Sequence, residues 1–187
     1  MLVEQRKIYL LDVILTFLPI LLALCVVWYA PETIATRFDL EGNVVATGSR
    51  WTILILPILI LLFSVFMKWI DDKELVGSKN KEISRYIFRV TLLLFNAIAF
   101  FQFVLILTGV SMGSQMGRFM AFLIGVFMIF VGNVSPKIKE TNKHFGFRVP
   151  WIMNKDEAFR KTQRFFGFAS MVSGVIFILI SLFAGNQ

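Results

Sequence analysis

Five long stretches of this sequence are nearly bare of charge. They run from about Ile8 to Ala30, Trp51 to Ile70, Tyr86 to Ser111, Arg118 to Val134 and Phe165 to Ala184. A helix needs roughly 20 apolar residues to cross the hydrocarbon core of a bilayer, and most of the stretches meet that length. The fourth is short, and Arg118 at its edge can snorkel outward to help it span. A water-soluble domain is a poor alternative. The 187 residues are 57% hydrophobic and 17% charged, against about 45–50% and about 25% in ordinary globular chains. The first stretch exceeds the 7–15 apolar residues of a signal-peptide core. Bulky Trp28 and Tyr29 stand where cleavage would want small residues, so a retained helix is expected. The sequence thus predicts an all-α integral membrane protein: one membrane domain over residues 1–187, a bundle of about five transmembrane helices.

Charge gives these spans a direction. The net charge is +7, which in a soluble protein would suggest nucleic acid. Here the basic residues sort by side instead, so direct nucleic-acid binding is not expected. With the N-terminus in the cytoplasm, all Lys and Arg fall inside except Arg37, Arg50 and Arg118. Cytoplasmic loops are enriched in Lys and Arg, so the expected orientation is N-terminus inside and C-terminus outside. The outer loop is 31–50, and the main cytoplasmic loops are 71–85 and 135–164. Trp28, Trp51, Trp69 and Trp151 fall at expected interface levels.

Two loops carry structure of their own. In the outer loop, β-branched residues flank Asp39-Leu40-Glu41-Gly42-Asn43, where Gly and Asn suit a turn. A small extracellular hairpin between two helices is expected, with Arg37, Phe38, Asp39, Glu41 and Gly42 as a candidate binding surface. In the inner loop, Asn154 and Glu157 have capping-box spacing. One helix should run from about Lys155 into the fifth span, packing through Phe159, Thr162, Gln163 and Phe166. Before it, Gly146 to Trp151 looks like a fixed turn, because Pro150 biases Val149 to an extended conformation. Asn133, Pro136, Lys137, Asn142, Gly146, Arg148, Pro150 and Trp151 form the candidate cytoplasmic functional turn.

Polar residues within spans are costly and often functional. Asp12 and Arg89 lie at similar depth in the first and third spans, and an intramembrane polar pair is expected of them. Asn96 and Gln102 suit interhelical hydrogen bonds, and Pro19 and Pro57 are candidate kinks. The single cysteine, Cys25, and single histidine, His144, form no metal-site spacing. No cofactor fingerprint or catalytic constellation stands out, so an enzyme is not expected. From the residues alone, a small transporter or channel and a lipid-organising membrane protein stay open.

Several motifs nevertheless resemble a known family. Gly132-Asn133-Val134-Ser135-Pro136-Lys137-Ile138-Lys139, then Asn142, Gly146 to Trp151, Asn154, Glu157 and Arg160 to Arg164 resemble the C-terminal half of the SdpI family. Pro31, Phe38 to Asn43 and Trp51 resemble the N-terminal module often fused to it. Family members often carry His at the positions of Arg37 and Gln163, Thr at Val149 and Trp at Phe159, so no role resting on those histidines is carried over. They are often drawn with six spans, where five are counted here. The resemblance implies a multi-pass protein of the bacterial plasma membrane that gives immunity to a secreted, membrane-active peptide toxin. It also implies a sensing role, in which a DNA-binding repressor is recruited to the inner face. An oligomer is compatible with all of this.

Overall fold

The computed structural model describes residues 2–39, 43–73, 81–109, 114–138, 147 and 156–183. Among them are five helices long and apolar enough to cross a membrane. These are α1 (Leu2–Tyr29), α2 (Ile55–Asp72), α3 (Lys81–Thr108), α4 (Ser114–Val134) and α5 (Asp156–Phe183). Two strands, β1 (Thr33–Phe38) and β2 (Val44–Ser49), form an antiparallel hairpin between α1 and α2. The helices are apolar on their outer sides as well. Leu21, Leu62, Phe100 and Phe168 are 61%, 57%, 63% and 65% exposed. Helices that are apolar all round belong in lipid, so this is a multi-pass membrane protein. Trp28, Trp51 and Trp69 are likewise exposed, as interface anchors should be.

The expected spans are all present, with different ends. Helix α4 starts at Ser114 and is not short, so Arg118 lies inside it. Helix α3 starts at Lys81, ahead of its apolar run, because a helix does not stop where the hydrocarbon does. Helix α5 runs unbroken from Asp156 to Phe183, which is the extension the inner loop predicted.

The chain forms two compact units, residues 1–65 with 92–117 and residues 66–91 with 118–187. In the first, α1 contains Pro19, fully buried. Proline has no N–H, so the carbonyl four residues back loses its helical donor. That carbonyl belongs to Leu15. The Asn96 side chain of α3 donates to it from Nδ2 at 2.9 Å, with a second bond to its own Leu92 carbonyl at 2.8 Å. Asn96 thus makes the expected interhelical bond, and it falls on the group that Pro19 strips. One residue further on, Thr16 Oγ1 meets Ser64 Oγ of α2 at 2.9 Å. Each hydroxyl also reaches a carbonyl of its own helix, Asp12 and Ile60. Phe63 and Phe95 pack edge to face at 5.9 Å.

Pro57 does not interrupt a helix. Arg50–Leu54 forms a 3₁₀ turn and α2 begins at Ile55. Pro57 therefore sits in the first turn of α2, where a missing N–H leaves no helical bond unmade. The 3₁₀ turn packs on α1 and touches β1. Ile34 of β1 and Ile53 of the turn are buried, and Arg50 N–H donates to the Glu32 carbonyl at 3.0 Å. Those contacts give an otherwise marginal two-stranded sheet a base to fold on.

In the second unit, α4 and α5 meet backbone to backbone. A Cβ on Gly132 would lie 2.6 Å from the Gly167 carbonyl oxygen, and one on Gly125 would lie 2.7 Å from that of Gly174. The pairing runs in opposite directions along the two helices, so they are antiparallel. The buried stripe of α5 is Phe159, Gln163, Gly167, Ser170, Gly174 and Ser181. Small residues at such spacing let membrane helices approach closely. Also in this unit, Asp71 of α2 pairs with Arg85 at 2.9 Å and Lys81 at 3.3 Å of α3.

Candidate functional site

The outer candidate lies in the first unit. The register pairs Thr33 with Ser49, Ala35 with Thr47, Arg37 with Ala46 and Phe38 with Val44. Thr36 and Val45 are therefore bulged out of the ladder, which sharpens the local twist. Thr36 Oγ1 donates to the Ala46 carbonyl at 3.2 Å. Asp39 closes the turn. Its Oδ1 accepts the Asn43 backbone N–H at 2.7 Å, and its Oδ2 accepts from Asn43 Nδ2 at 3.0 Å. Its own N–H donates to the Asn43 carbonyl at 3.0 Å. Asp39 is thus occupied in holding the hairpin. Arg37 is exposed and Phe38 half-buried, while Glu41 and Gly42 lie outside the described residues.

The inner candidate lies in the second unit, where α4 runs into a 3₁₀ turn over Ser135–Lys137. Asn133, Pro136 and Lys137 are exposed there. Pro136 stands where its fixed φ suits the first turn of a helix, and its ring atoms would lie 2.8 Å from a Cβ on Gly167. Behind it, Ser135 and Gln163 are buried at 2% and 0% exposure. Ser135 Oγ is 2.9 Å from Gln163 Oε1 and 3.2 Å from the Gln163 carbonyl. The same Oε1 accepts the Phe147 N–H at 3.3 Å, and Nε2 donates to the Phe147 carbonyl at 2.6 Å. A peptide group that offers both a donor and an acceptor fixes which way the amide points. The Phe147 ring stacks on Phe166 with centroids 4.7 Å apart and planes 12° from parallel.

Asn142, Gly146, Arg148, Pro150 and Trp151 lie outside the described residues, as does Asn154. Glu157, expected to reach back to Asn154, pairs with Lys161 at 2.8 Å on the exposed face of α5. Of the residues expected to pack the start of α5, Phe159 and Gln163 are buried, and Thr162 and Phe166 half-buried. Asp12 is half-buried in α1 of the first unit, and Arg89 half-buried in α3 of the second. Sequence reasoning missed Ser135 and Phe147 as partners of Gln163. The signal within reach was a lone amide on a helix face otherwise lined by Gly167, Ser170 and Gly174.

Comparison with known proteins follows the same division. Residues 14–61, from α1 through the hairpin into α2, match a domain of unknown function, DUF1648. Residues 137–187, from the inner turn through α5, match the SdpI/YfhL protein family. Over 186 aligned residues the chain is 23% identical to "Immunity protein SdpI" of Bacillus subtilis (strain 168), covering 94% of this chain and 82% of that protein. No solved structure matches the chain. With both modules present in order and the likeness running nearly end to end, the chain carries an N-terminal DUF1648 domain followed by a module of the SdpI/YfhL family.

Proposed function

We propose that this protein gives immunity to a secreted, membrane-active peptide toxin and senses it at the bacterial plasma membrane. The observation that carries the reading is the likeness to "Immunity protein SdpI" over 94% of the chain. The asymmetry of Lys and Arg supports an N-terminus inside and a C-terminus outside, as one membrane domain over residues 1–187. The hairpin and its Trp28, Tyr29 and Trp51 surround then face the side from which a secreted peptide arrives. Arg37 and Phe38 are its candidate contacts, whereas Asp39 acts by shaping the turn. The inner loop and the start of α5 then face the cytoplasm, and the turn around Arg148 and Trp151 is the candidate dock for a DNA-binding repressor. Signalling requires that toxin bind one arrangement of the protein better than another, since a ligand shifts an equilibrium only by its differential affinity.

The test is survival. The gene is deleted in its host, and deletion, wild type and complemented strains are challenged with secreted peptide fractions from the same and neighbouring strains. Selective sensitivity of the deletion strain, reversed by the wild-type chain, is the expected result. Equal survival in every fraction would reject immunity and favour transport or lipid organisation.

A further inference from the structure

The proposed function leaves Gln163 without a task, yet among the described residues of the second unit Gln163 is the most completely enclosed polar side chain. Burying an amide is costly unless its groups are bonded. An apolar side chain would fill the same space on α5 without that requirement. What the amide supplies instead is a two-bond grip on one peptide of the inner loop. Oε1 takes the N–H of residue 147 and Nε2 gives to its carbonyl. Because both bonds go to main chain, the grip reads position and not side-chain identity. The ring of the same residue is stacked on Phe166, three residues along α5. Ser135 ties the amide to the end of α4, which is itself pressed on α5 at Gly132 and Gly167. The gripped residue is not swallowed, however: Phe147 remains 44% exposed. Phe147 is therefore held on α5 with its ring still at the surface.

We propose that Gln163 is a positioning residue on the inner side: its side-chain amide fixes the Phe147 peptide on α5, and so presents the exposed Phe147 ring stacked on Phe166. The functional half of this inference rests on the proposed immunity and sensing role; the structural half does not.

The test uses the full chain in lipid nanodiscs and reads amide hydrogen exchange at Phe147. Gln163→Met keeps the volume and removes both bonds. Ser135→Ala removes a bond to Oε1 but leaves the Phe147 pair intact. Two lost hydrogen bonds should speed exchange at Phe147 by roughly 10- to 100-fold in Gln163→Met, with the α4 and α5 amides around Gly132 and Gly167 unchanged. Ser135→Ala should stay within a few-fold of wild type. Unchanged exchange at Phe147 in Gln163→Met would overturn the proposal. So would a uniform rise throughout α4 and α5, because the residue would then hold the fold and not the loop. The same variants are then challenged with the peptide fraction. Gln163→Met should survive as poorly as the deletion strain and Ser135→Ala as well as wild type. Released exchange with full survival would overturn the positioning role. A wild-type chain that confers no survival would defeat the immunity reading while leaving the exchange result to be judged by itself.

Discussion

Asn96 and Pro19 should be energetically coupled, because one supplies the hydrogen bond the other removes. In the wild-type chain, Asn96→Leu strips the Leu15 carbonyl of its 2.9 Å donor. No backbone N–H can replace it, since residue 19 is proline. An unsatisfied buried carbonyl costs about 1–3 kcal/mol. Measured side-chain hydrogen bonds between membrane helices average only about 0.6 and reach about 1.7 kcal/mol. A loss of about 1–2 kcal/mol is therefore expected. In a Pro19→Ala chain the position-19 N–H returns to Leu15 in the ordinary helical pattern, and Asn96→Leu should cost only about 0.5 kcal/mol or less. Pro19→Ala also removes buried ring contacts, but that loss is common to both backgrounds and cancels in the double-mutant cycle. The assay is reversible unfolding of all four chains in mixed detergent and lipid micelles. A coupling of about 1 kcal/mol, with the proline-containing Asn96→Leu chain the least stable relative to its parent, is the expected outcome. Additivity within about 0.3–0.5 kcal/mol would show that the Leu15 carbonyl does not depend on Asn96.

Three further outcomes follow from the geometry. Gly132→Ala places a methyl 2.6 Å from the Gly167 carbonyl oxygen, against open space within 4 Å at Gly117. Unfolding measurements should show Gly132→Ala destabilised by about 2 kcal/mol or more, within the range of overpacking costs, and Gly117→Ala neutral or slightly stabilised. Asp39→Ala removes the carboxylate that accepts twice from Asn43. It should speed exchange at Asn43 by about tenfold, while amides of α4 and α5 keep wild-type rates. In a Cys25→Ser chain, Thr47→Cys should react with an impermeant thiol reagent from outside intact cells, and Lys137→Cys only after permeabilisation; the reverse pattern would refute the proposed orientation.

The parts of this protein that were legible in its sequence are those governed by local pattern. Apolar runs announce spans because lipid replaces a tertiary core as their environment. The hairpin showed through β-branched residues around a Gly-Asn turn, and α5 showed as one helix because no proline stands between Asp156 and Phe183. Helix ends were less legible. The start of α4 at Ser114 lies in a polar, glycine-containing stretch with no apolar period to mark it. Pro57 read as a kink because the 3₁₀ turn before it, which moves it into a first turn, has no strong signature. The site's internal contacts were hidden for another reason. Gly132 and Gly167, Ser135 and Gln163, Phe147 and Gln163 are distant in sequence and meet only when α4 and α5 close. The paired seven-residue spacing of Gly125 with Gly132 and of Gly167 with Gly174 was visible, but its meaning depends on which helices are neighbours.

The immunity reading is tested most directly by transfer of resistance. The chain is expressed in a bacterium sensitive to the peptide fraction, with membrane insertion verified, beside an empty vector and Gln163→Met. A rise in survival with the wild-type chain, absent with the vector and reduced with Gln163→Met, is the predicted result. Equal killing of all three, with the wild-type protein present in the membrane, would contradict the account.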